Sequence, residues 1–396
     1  MGMPRLILLD DGLACLGPLG DLRASFEQRS GVFNALERCE HGFGLSAQLH
    51  LSEGDAALAH ERTTRPLADR ADDSAAIVVN GRLASGGREE IPSLGTVERD
   101  AHGAVAIAHL EGDALRAVLE HPVDASSPGT RLSFRHPWDL LDGLGDRIAA
   151  DAALLESSHG LPEWVTKVGE HPCLIGSDVT FLPGVVLDAT EGPIIIQRGA
   201  CIRANAVLCG PCSIGPGCLI SDRTLVKGAT SLGPGCKVGG EVGSVIMQAH
   251  ANKVHDGHLG DALVGEWVNI GAGTDNSNLL NTYGEVAMRL DSDGPMHKTG
   301  RIFMGCVLGD HVKLAIGTRL MTGTVLSTGT MYAASTPPKA LVERFSWCTD
   351  AGERVYQWRK FENVLRTVFA RRALEPGEAL LHRLKTLHDA RASSSA

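Results

Sequence analysis

Aliphatic residues recur at every sixth position over a long central part of the chain. The first tract is formed by Ile196, Ile202, Leu208, Ile214, Ile220, Val226, Leu232 and Val238, and the second by Ile302, Leu308, Leu314, Leu320 and Leu326. A period of six is neither that of an α-helix nor that of a β-strand, but it is the hexapeptide repeat of a parallel β-helix. We therefore predict a β-helix over residues 165–335, with the aliphatic residue of each hexad pointing to the axis.

A second column of small residues supports this prediction. Two positions before the aliphatic residues stand Ala200, Ala206, Cys212, Cys218, Thr224, Thr230 and Cys236. Cys209 and Cys212 also form a C-x-x-C sequence, which in a reduced compartment raises the possibility of a redox dithiol. Because Cys212 belongs to the small column and no helix pattern follows it, we interpret the cysteines as packing residues, with a functional dithiol as the alternative.

Charge and hydropathy exclude some classes of function. The formal net charge of −10 argues against nucleic acid and membrane surfaces as partners. The sequence shows no run of apolar residues long enough to span a bilayer, and its first residues do not resemble a signal peptide. We expect a cytoplasmic protein whose cysteines are mostly reduced.

The regions on either side of the hexads have different patterns. Residues 1–155 alternate between strand-like segments such as "RLILLDD" and "AAIVVNGRL" and helix-like segments such as "GVFNALERCEHGFG", which predicts an α/β domain with parallel strands. Residues 336–396 contain "ERVYQWRKFENVLRTVFARRAL" and "EPGEALLHRLKTLHDA", which predict a C-terminal extension of two helices. Such helices commonly cap or flank a solenoid.

A stretch rich in polar residues, 239–286, interrupts the hexads. Insertions in a solenoid tend to lie on one face and to carry function. Lys253, His255, Asp256 and His258 fall within six residues of one another. A histidine is the usual general base for an amine or hydroxyl nucleophile, and a lysine can hold a sugar phosphate. The alternative is that these are turn residues, as Asn, Asp and Gly often are.

The run "NKVHDGHLGDALVGEWVNIGAGTDNSNLLNTYG", followed by "KTGRIFMGCVLGDHVKLAIGTRLMTGTV", resembles the acetyltransferase half of the bifunctional enzyme that makes UDP-N-acetylglucosamine. It is most similar to that enzyme's shorter bacterial and archaeal relatives, which are often described as sugar nucleotidyltransferases. The resemblance covers about residues 170–335. It implies a left-handed β-helix, a homotrimer with sites between subunits, and acetyl transfer from acetyl-CoA to the amine of glucosamine-1-phosphate.

The resemblance also implies roles for individual residues. His255 matches the catalytic base, Asn278 matches an asparagine beside the acetyl-CoA, and Ala272 matches a residue whose backbone contacts the oxyanion. His258 stands where the bifunctional enzyme has a tyrosine that contacts the sugar, and Leu279 stands where an aromatic residue is usual. We expect substrate contacts from Lys253, His258, Asn269 and Lys298, and acetyl-CoA contacts from Ala272, Lys313 and Ala333.

The N-terminal domain is similar to a nucleotidyltransferase in a divergent form. The glycine-rich G-x-G-T-R loop that cradles nucleotide phosphates is replaced by "LLDDGLACLGPLGDLRASFEQRSG". The short relatives share a skeleton kept here by Pro18, Leu19, Arg23, Arg29 and Gly31. Arg23 and Arg29 could clamp a phosphate, or they could be two surface arginines. Nucleotidyl transfer would require Mg²⁺; Asp10 and Asp11 are candidate ligands, but no pair of metal-binding carboxylates is identified.

Three functions remain open at this point. The first is acetyl-CoA-dependent acetylation of an amino-sugar phosphate by the β-helix. The second is sugar-1-phosphate nucleotidyl transfer from a nucleoside triphosphate by the N-terminal domain, alone or together with the first. The third is a non-catalytic trimeric scaffold whose N-terminal domain senses a nucleotide sugar.

Overall fold

The N-terminal region is a five-stranded sheet flanked by helices. The computed structural model describes residues 3–156 and 159–394. The strands of this sheet are β1 (Arg5–Asp10), β2 (Ala47–Leu51), β3 (Ala76–Asn80), β4 (Thr96–Arg99) and β5 (Val105–Leu110). The helices are α1 (Ala35–Phe43), α2 (Ala56–Thr63), α3 (Gly112–Glu120) and α4 (Leu144–Ala152).

The sheet is mixed, so the prediction of parallel strands is wrong for part of it. The strand order is β2-β1-β3-β5-β4, and β1 pairs in parallel with both β2 and β3. Strand β5, however, runs antiparallel to β3 and to β4. Only residues 100–104 connect β4 to β5. A connection this short permits a hairpin but not the crossover that parallel pairing requires.

The centre of the chain is a β-solenoid of about ten turns that spans residues 166–349. It continues past the predicted boundary at residue 335. Its strands, including a short hairpin and a final antiparallel strand, are β6 (Thr166–Val168), β7 (Cys173–Ile175), β8 (Thr180–Phe181), β9 (Val186–Asp188), β10 (Ile194–Ile196), β11 (Cys201–Ile202), β12 (Val207–Cys209), β13 (Cys212–Ile214), β14 (Leu219–Ile220), β15 (Leu225–Val226), β16 (Thr230–Leu232), β17 (Lys237–Val238), β18 (Glu241–Met247), β19 (Asn252–Lys253), β20 (His258–Val264), β21 (Asp275–Asn276), β22 (Ala287–Arg289), β23 (Met296–Lys298), β24 (Cys306–Leu308), β25 (Lys313–Leu314), β26 (Arg319–Leu320), β27 (Thr324–Leu326), β28 (Met331–Ala333), β29 (Leu341–Val342), β30 (Ser346–Thr349) and β31 (Gly352–Val355).

The coils stack so that their strands form three parallel faces. Face A consists of β7, β10, β13, β16, the second halves of β18 and β20, β24, β27 and β29. Face B consists of β8, β11, β14, β17, β19, β25, β28 and β30. Face C consists of β6, β9, β12, β15, the first halves of β18 and β20, β21 and β26. The corner between faces B and C, between β19 and β20, carries the predicted site residue His255.

The interior of the solenoid confirms the hexad columns. Every aliphatic residue of the first tract is fully buried, and so is every member of the small column from Ala200 to Cys236. Ile302 is an exception in the second tract, because half of its surface is exposed. Residues 277–305 leave the coil as an insertion that carries the β22–β23 hairpin, and the coil resumes only at Cys306. The prediction that Ile302 points to the axis is therefore wrong.

The cysteines of the C-x-x-C sequence differ in environment. Cys212 is fully buried inside the solenoid, and burial raises the pKa of its thiol. Cys209 ends β12 and is partly exposed, and burial also raises its pKa. All ten cysteines of the chain are free thiols. A protonated thiol is a poor nucleophile, so the environment of Cys212 supports a packing role.

The N-terminal region packs along the whole of face A. The middle residue of most face A strands points outward into a shared apolar layer, and these residues are Leu174, Ile195, Ile246, Leu263, Val307, Val325 and Leu341. Their partners from the N-terminal region include Leu19, Trp138 and Ile148. At β13 and β16 the outward residue is a fully buried serine, which leaves space for the close approach of α4.

Two C-terminal helices, α5 (Trp358–Ala370) and α6 (Glu378–Ser394), cover the last coils of face B. Phe361, Leu365 and Phe369 of α5 are buried in an apolar cluster that includes Trp267 and Phe345 of the solenoid. No helix among the described residues is long and apolar enough to cross a membrane.

Candidate functional site

The corner that follows β19 carries His255 at the surface. Lys253 lies buried directly beneath this corner. Its ammonium donates to the backbone carbonyls of Gly239 at 2.9 Å, Gly257 at 2.7 Å, His255 at 3.2 Å and Asp256 at 3.4 Å. Burial lowers the pKa of Lys253 to about 8. The ammonium therefore fixes the corner from inside and does not point to the surface, where a sugar phosphate would bind.

The ring of His255 is exposed. Within residues 3–156 and 159–394, no protein group forms a hydrogen bond with it. An imidazole on a corner whose backbone is held, and with both ring nitrogens open, can accept a proton from a substrate amine.

His258 and Asn278 meet on face C beside this corner. Both side chains reach over Gly260, where a Cβ would lie 2.6 Å from Nε2 of His258 and 3.0 Å from Nδ2 of Asn278. Nδ1 of His258 lies 3.4 Å from the carboxylate of Glu241. Nδ2 of Asn278 donates to Asp261 at 2.7 Å. The structure thus brings these two predicted residues together and fixes the orientation of each.

Ala272 occupies the equivalent corner one coil further along. Asn252 pairs with Asn269 in parallel register, so the residue three positions after Asn269 stacks on His255. The backbone N–H of Ala272 donates to no other group in the described part of the chain. A free backbone N–H is a group that can donate a hydrogen bond to an anionic oxygen of a ligand.

Asn269, Lys313 and Ala333 lie together in a cleft of about 550 Å³ between face B and α5. The cleft is also lined by Lys237, His250, Trp267, Arg371 and Arg372. The Lys313 ammonium donates to the Trp267 carbonyl, and burial lowers the pKa of Lys313 to about 7. Two predicted acetyl-CoA residues and one predicted sugar residue therefore share one cavity.

Sequence analysis missed the contribution of α5 to this cleft. Arg371 and Arg372 follow directly after the helix. Two adjacent arginines were the sequence feature that could have indicated a cationic site at this end of α5. The hexad pattern does not show which face a helix from outside the solenoid will cover. Lys298 lies neither beside His258 and Asn278 nor in the cleft. It is exposed on the β22–β23 hairpin, with its ammonium 3.9 Å from Glu285.

Arg23 and Arg29 are both buried, and they face different partners. Arg23 forms an ion pair with Asp310 of the solenoid at 2.7 Å. Arg29 donates to the Val32 carbonyl and lies 3.4 Å from the Glu37 carboxylate. In this arrangement the two guanidinium groups do not form a phosphate clamp, and neither is a surface arginine.

Asp10 and Asp11 also have separate environments. Asp11 forms a buried ion pair with Arg82 at 2.6 Å; burial opposes ionisation, but the hydrogen bonds and charge of Arg82 hold the pKa of Asp11 below its usual value. Asp10 lines a cavity of about 360 Å³ at the carboxyl ends of β1 and β2, together with Glu53 and Asp55. Burial raises the pKa of Asp10. The described residues contain no cluster of three or more His, Cys, Asp or Glu side chains suited to a metal ion.

No protein-family model and no curated protein matches the chain. The chemistry of the site is therefore argued from its own groups. These are an exposed imidazole on a fixed corner, a free backbone N–H one coil away, an oriented amide on face C, and a cleft lined with cations.

Proposed function

We propose that this chain is an acetyl-CoA-dependent N-acetyltransferase that acts on an amino-sugar phosphate of the glucosamine-1-phosphate type. The observation that carries the proposal is the exposed His255 on a corner that Lys253 fixes from below. The resemblance described above supports it. We also propose the finer features that the resemblance implies, which are left-handed winding, a homotrimer and a cytoplasmic location.

In this mechanism His255 removes a proton from the substrate ammonium, and the free amine attacks the thioester carbonyl of acetyl-CoA. A C–N bond forms and the C–S bond breaks, and CoA leaves as a thiolate. The attacking nitrogen loses its second proton, and the thiolate takes up a proton to become the thiol, so the net reaction releases the one proton that His255 accepted. In this proposal the backbone N–H of Ala272 and the second amide N–H of Asn278, whose Nδ2 also donates to Asp261, stabilise the oxyanion of the tetrahedral intermediate. Proton transfer and oxyanion stabilisation each contribute roughly 10²–10³-fold or more to such reactions.

A second candidate function concerns the N-terminal domain. Its cavity at the carboxyl ends of β1 and β2 is where ligands bind in open α/β sheets. This position favours a small-molecule site and keeps sugar-1-phosphate nucleotidyl transfer as a candidate. Asp10, Glu53 and Asp55 line the cavity together with Arg23 and Arg383, so it offers both carboxylates and guanidinium groups to a ligand. Release of pyrophosphate from nucleoside triphosphates mixed with sugar-1-phosphates tests this candidate directly.

The first experiment is to measure CoA thiol release from acetyl-CoA and glucosamine-1-phosphate. We expect His255→Ala to lower the rate by about 10²–10⁴-fold, which is the usual contribution of a general base. His121→Ala is the matched control, since His121 is an exposed histidine at the end of α3, and it should keep the full rate. Equal rates in both variants would remove His255 from the mechanism. Absence of thiol release with the unmodified protein would refute the proposal for this substrate, and binding of a nucleotide sugar without turnover would favour the scaffold.

A further inference from the structure

The cleft between face B and α5 carries an unbalanced positive charge. Four cationic side chains line it: Lys237 and Lys313 from the solenoid, and Arg371 and Arg372 from the end of α5. No acidic residue of the part of the chain that the structure describes lines it. Among the described residues, none of the four lies within ion-pair distance of a carboxylate.

This concentration of charge is unusual for the molecule as a whole. The chain has a formal net charge of −10, and many of its other lysines and arginines have carboxylate partners. Partly buried cations are normally paired, since leaving them unpaired costs free energy. Lys237, Lys313 and Arg372 are partly buried in the cleft and Arg371 is exposed at its edge, and none of them has a carboxylate partner among the described residues. Such a cleft is suited to an anionic ligand.

The polar groups of the cleft narrow the class of ligand further. Asn252 donates through Nδ2 to Asn269, but its Oδ1 is buried and accepts no hydrogen bond from a described residue. A buried amide oxygen without a donor costs free energy, so a ligand with a hydroxyl or N–H group would complement it. A volume of about 550 Å³ is within the range of small-molecule sites and exceeds what a single inorganic anion needs.

We propose that this cleft binds the phosphate groups of a small organic molecule, and that the C-terminal helix α5 supplies half of the cationic contacts. The proposal that the cleft binds phosphate groups does not depend on the proposed function. Only the identity of the ligand rests on that function. Under that function, two molecules offer the required chemistry: the adenosine 3′,5′-bisphosphate half of acetyl-CoA, and the phosphate of the amino sugar.

The test is titration calorimetry of the full chain with two probes, adenosine 3′,5′-bisphosphate and glucosamine-1-phosphate. One of them should bind, and the double variant Arg371→Ala/Arg372→Ala should weaken that binding at least tenfold. Lys237→Met, on the opposite wall, should also weaken it without touching α5. Arg366→Ala is the control, because Arg366 lies on the same helix, is exposed and pairs with Glu362.

The outcomes separate this proposal from the acetyltransferase proposal. Binding that both cleft variants weaken supports the phosphate site, even when no thiol release is found. Failure of both probes to bind at millimolar concentration would overturn the proposal, as would unchanged binding by both Lys237→Met and the double arginine variant.

Discussion

At the scale of single residues, Lys313 makes phosphate binding dependent on pH. Burial holds its pKa at about 7 in the free protein. A bound phosphate stabilises the ammonium and raises this pKa, so binding takes up a proton when the pH is above 7. As far as Lys313 is concerned, the affinity for phosphate is therefore greatest below pH 7. It falls as the pH rises from 7 toward the pKa that Lys313 has in the complex.

Calorimetry with the bound probe at pH 7.5 and pH 9 tests this prediction. The other cationic residues that line the cleft are Lys237, Arg371 and Arg372. Burial lowers the pKa of His250, which also lines it, so His250 stays neutral over this interval. The neighbouring His311 is likewise held neutral by burial. Affinity should fall between the two pH values in the unmodified protein and stay nearly constant in Lys313→Met. A parallel fall in both proteins would assign the pH dependence to another group.

Individual site residues were predictable from sequence only in part. His255, His258 and Asn278 stand in the polar interruption of the hexads, and the fold places them on or beside one corner. The contacts of Lys253 were not predictable, because they depend on which carbonyls the corner turns inward after the coils have stacked. Sequence analysis assigned Lys253 to the sugar phosphate, whereas the structure engages its ammonium with the backbone.

At the scale of elements, the buried aliphatic column predicts a large effect of truncation inside the solenoid. Leu208 is fully buried, and Leu208→Ala should lower the free energy of unfolding by about 2–5 kcal/mol. Within the solenoid each coil stacks on its two neighbours, so the loss is expected in the coils around β12 first. Leu132→Ala is the control, because 76% of the Leu132 surface is exposed.

Urea unfolding followed by circular dichroism measures both variants. A change in Leu208→Ala no larger than that in Leu132→Ala would mean that the hexad column does not carry the stability of the solenoid. The comparison uses the same chemical truncation in both proteins, so it isolates the effect of burial.

Elements with a local period were predictable, and elements defined by distant pairing were not. The hexads of the solenoid are local, because each strand repeats the sequence environment of the one before it. The direction of β4 and β5 is a property of their connection and their partners, which periodicity does not report. Ile302 kept the period of six by coincidence, inside an insertion that the periodicity alone did not reveal.

At the scale of the whole molecule, the Arg23–Asp310 ion pair joins the N-terminal region to the solenoid. Both side chains are fully buried at the junction. Arg23→Met should destabilise the protein by about 3–5 kcal/mol, because it leaves the Asp310 carboxylate buried and unpaired. The double variant Arg23→Met/Asp310→Leu should be destabilised by less than the sum of the single variants.

A surface pair provides the control for this cycle. Arg203 and Asp222 lie 2.8 Å apart, and each side chain is nearly half exposed. Arg203→Met should change the free energy of unfolding by at most about 1 kcal/mol. If chemical denaturation shows equal effects for Arg23→Met and Arg203→Met, the buried pair does not hold the two regions together.

The docking of the N-terminal region on face A was not predicted, although a signal for it was present. The residues directly before the inward aliphatic column are repeatedly apolar, for example Ile195, Ile246 and Val307. On a solenoid face exposed to water, these outward positions would be polar. Taken as a second column, these outward apolar residues indicate that face A is covered. They do not indicate which part of the chain covers it.

The contact along face A has a consequence for how this chain can change in length. Solenoid repeats are usually gained and lost freely in evolution, since each unit needs only a neighbour. Here segments of the N-terminal region that include Leu19, Trp138 and Ile148 pack on a layer of face A that extends from Leu174 to Leu341. One extra coil would shift every later position by about 4.8 Å, the spacing of adjacent strands, and would move Asp310 away from Arg23. The N-terminal region therefore fixes the length of the solenoid. We expect the number of coils to be the same in all proteins that keep this region.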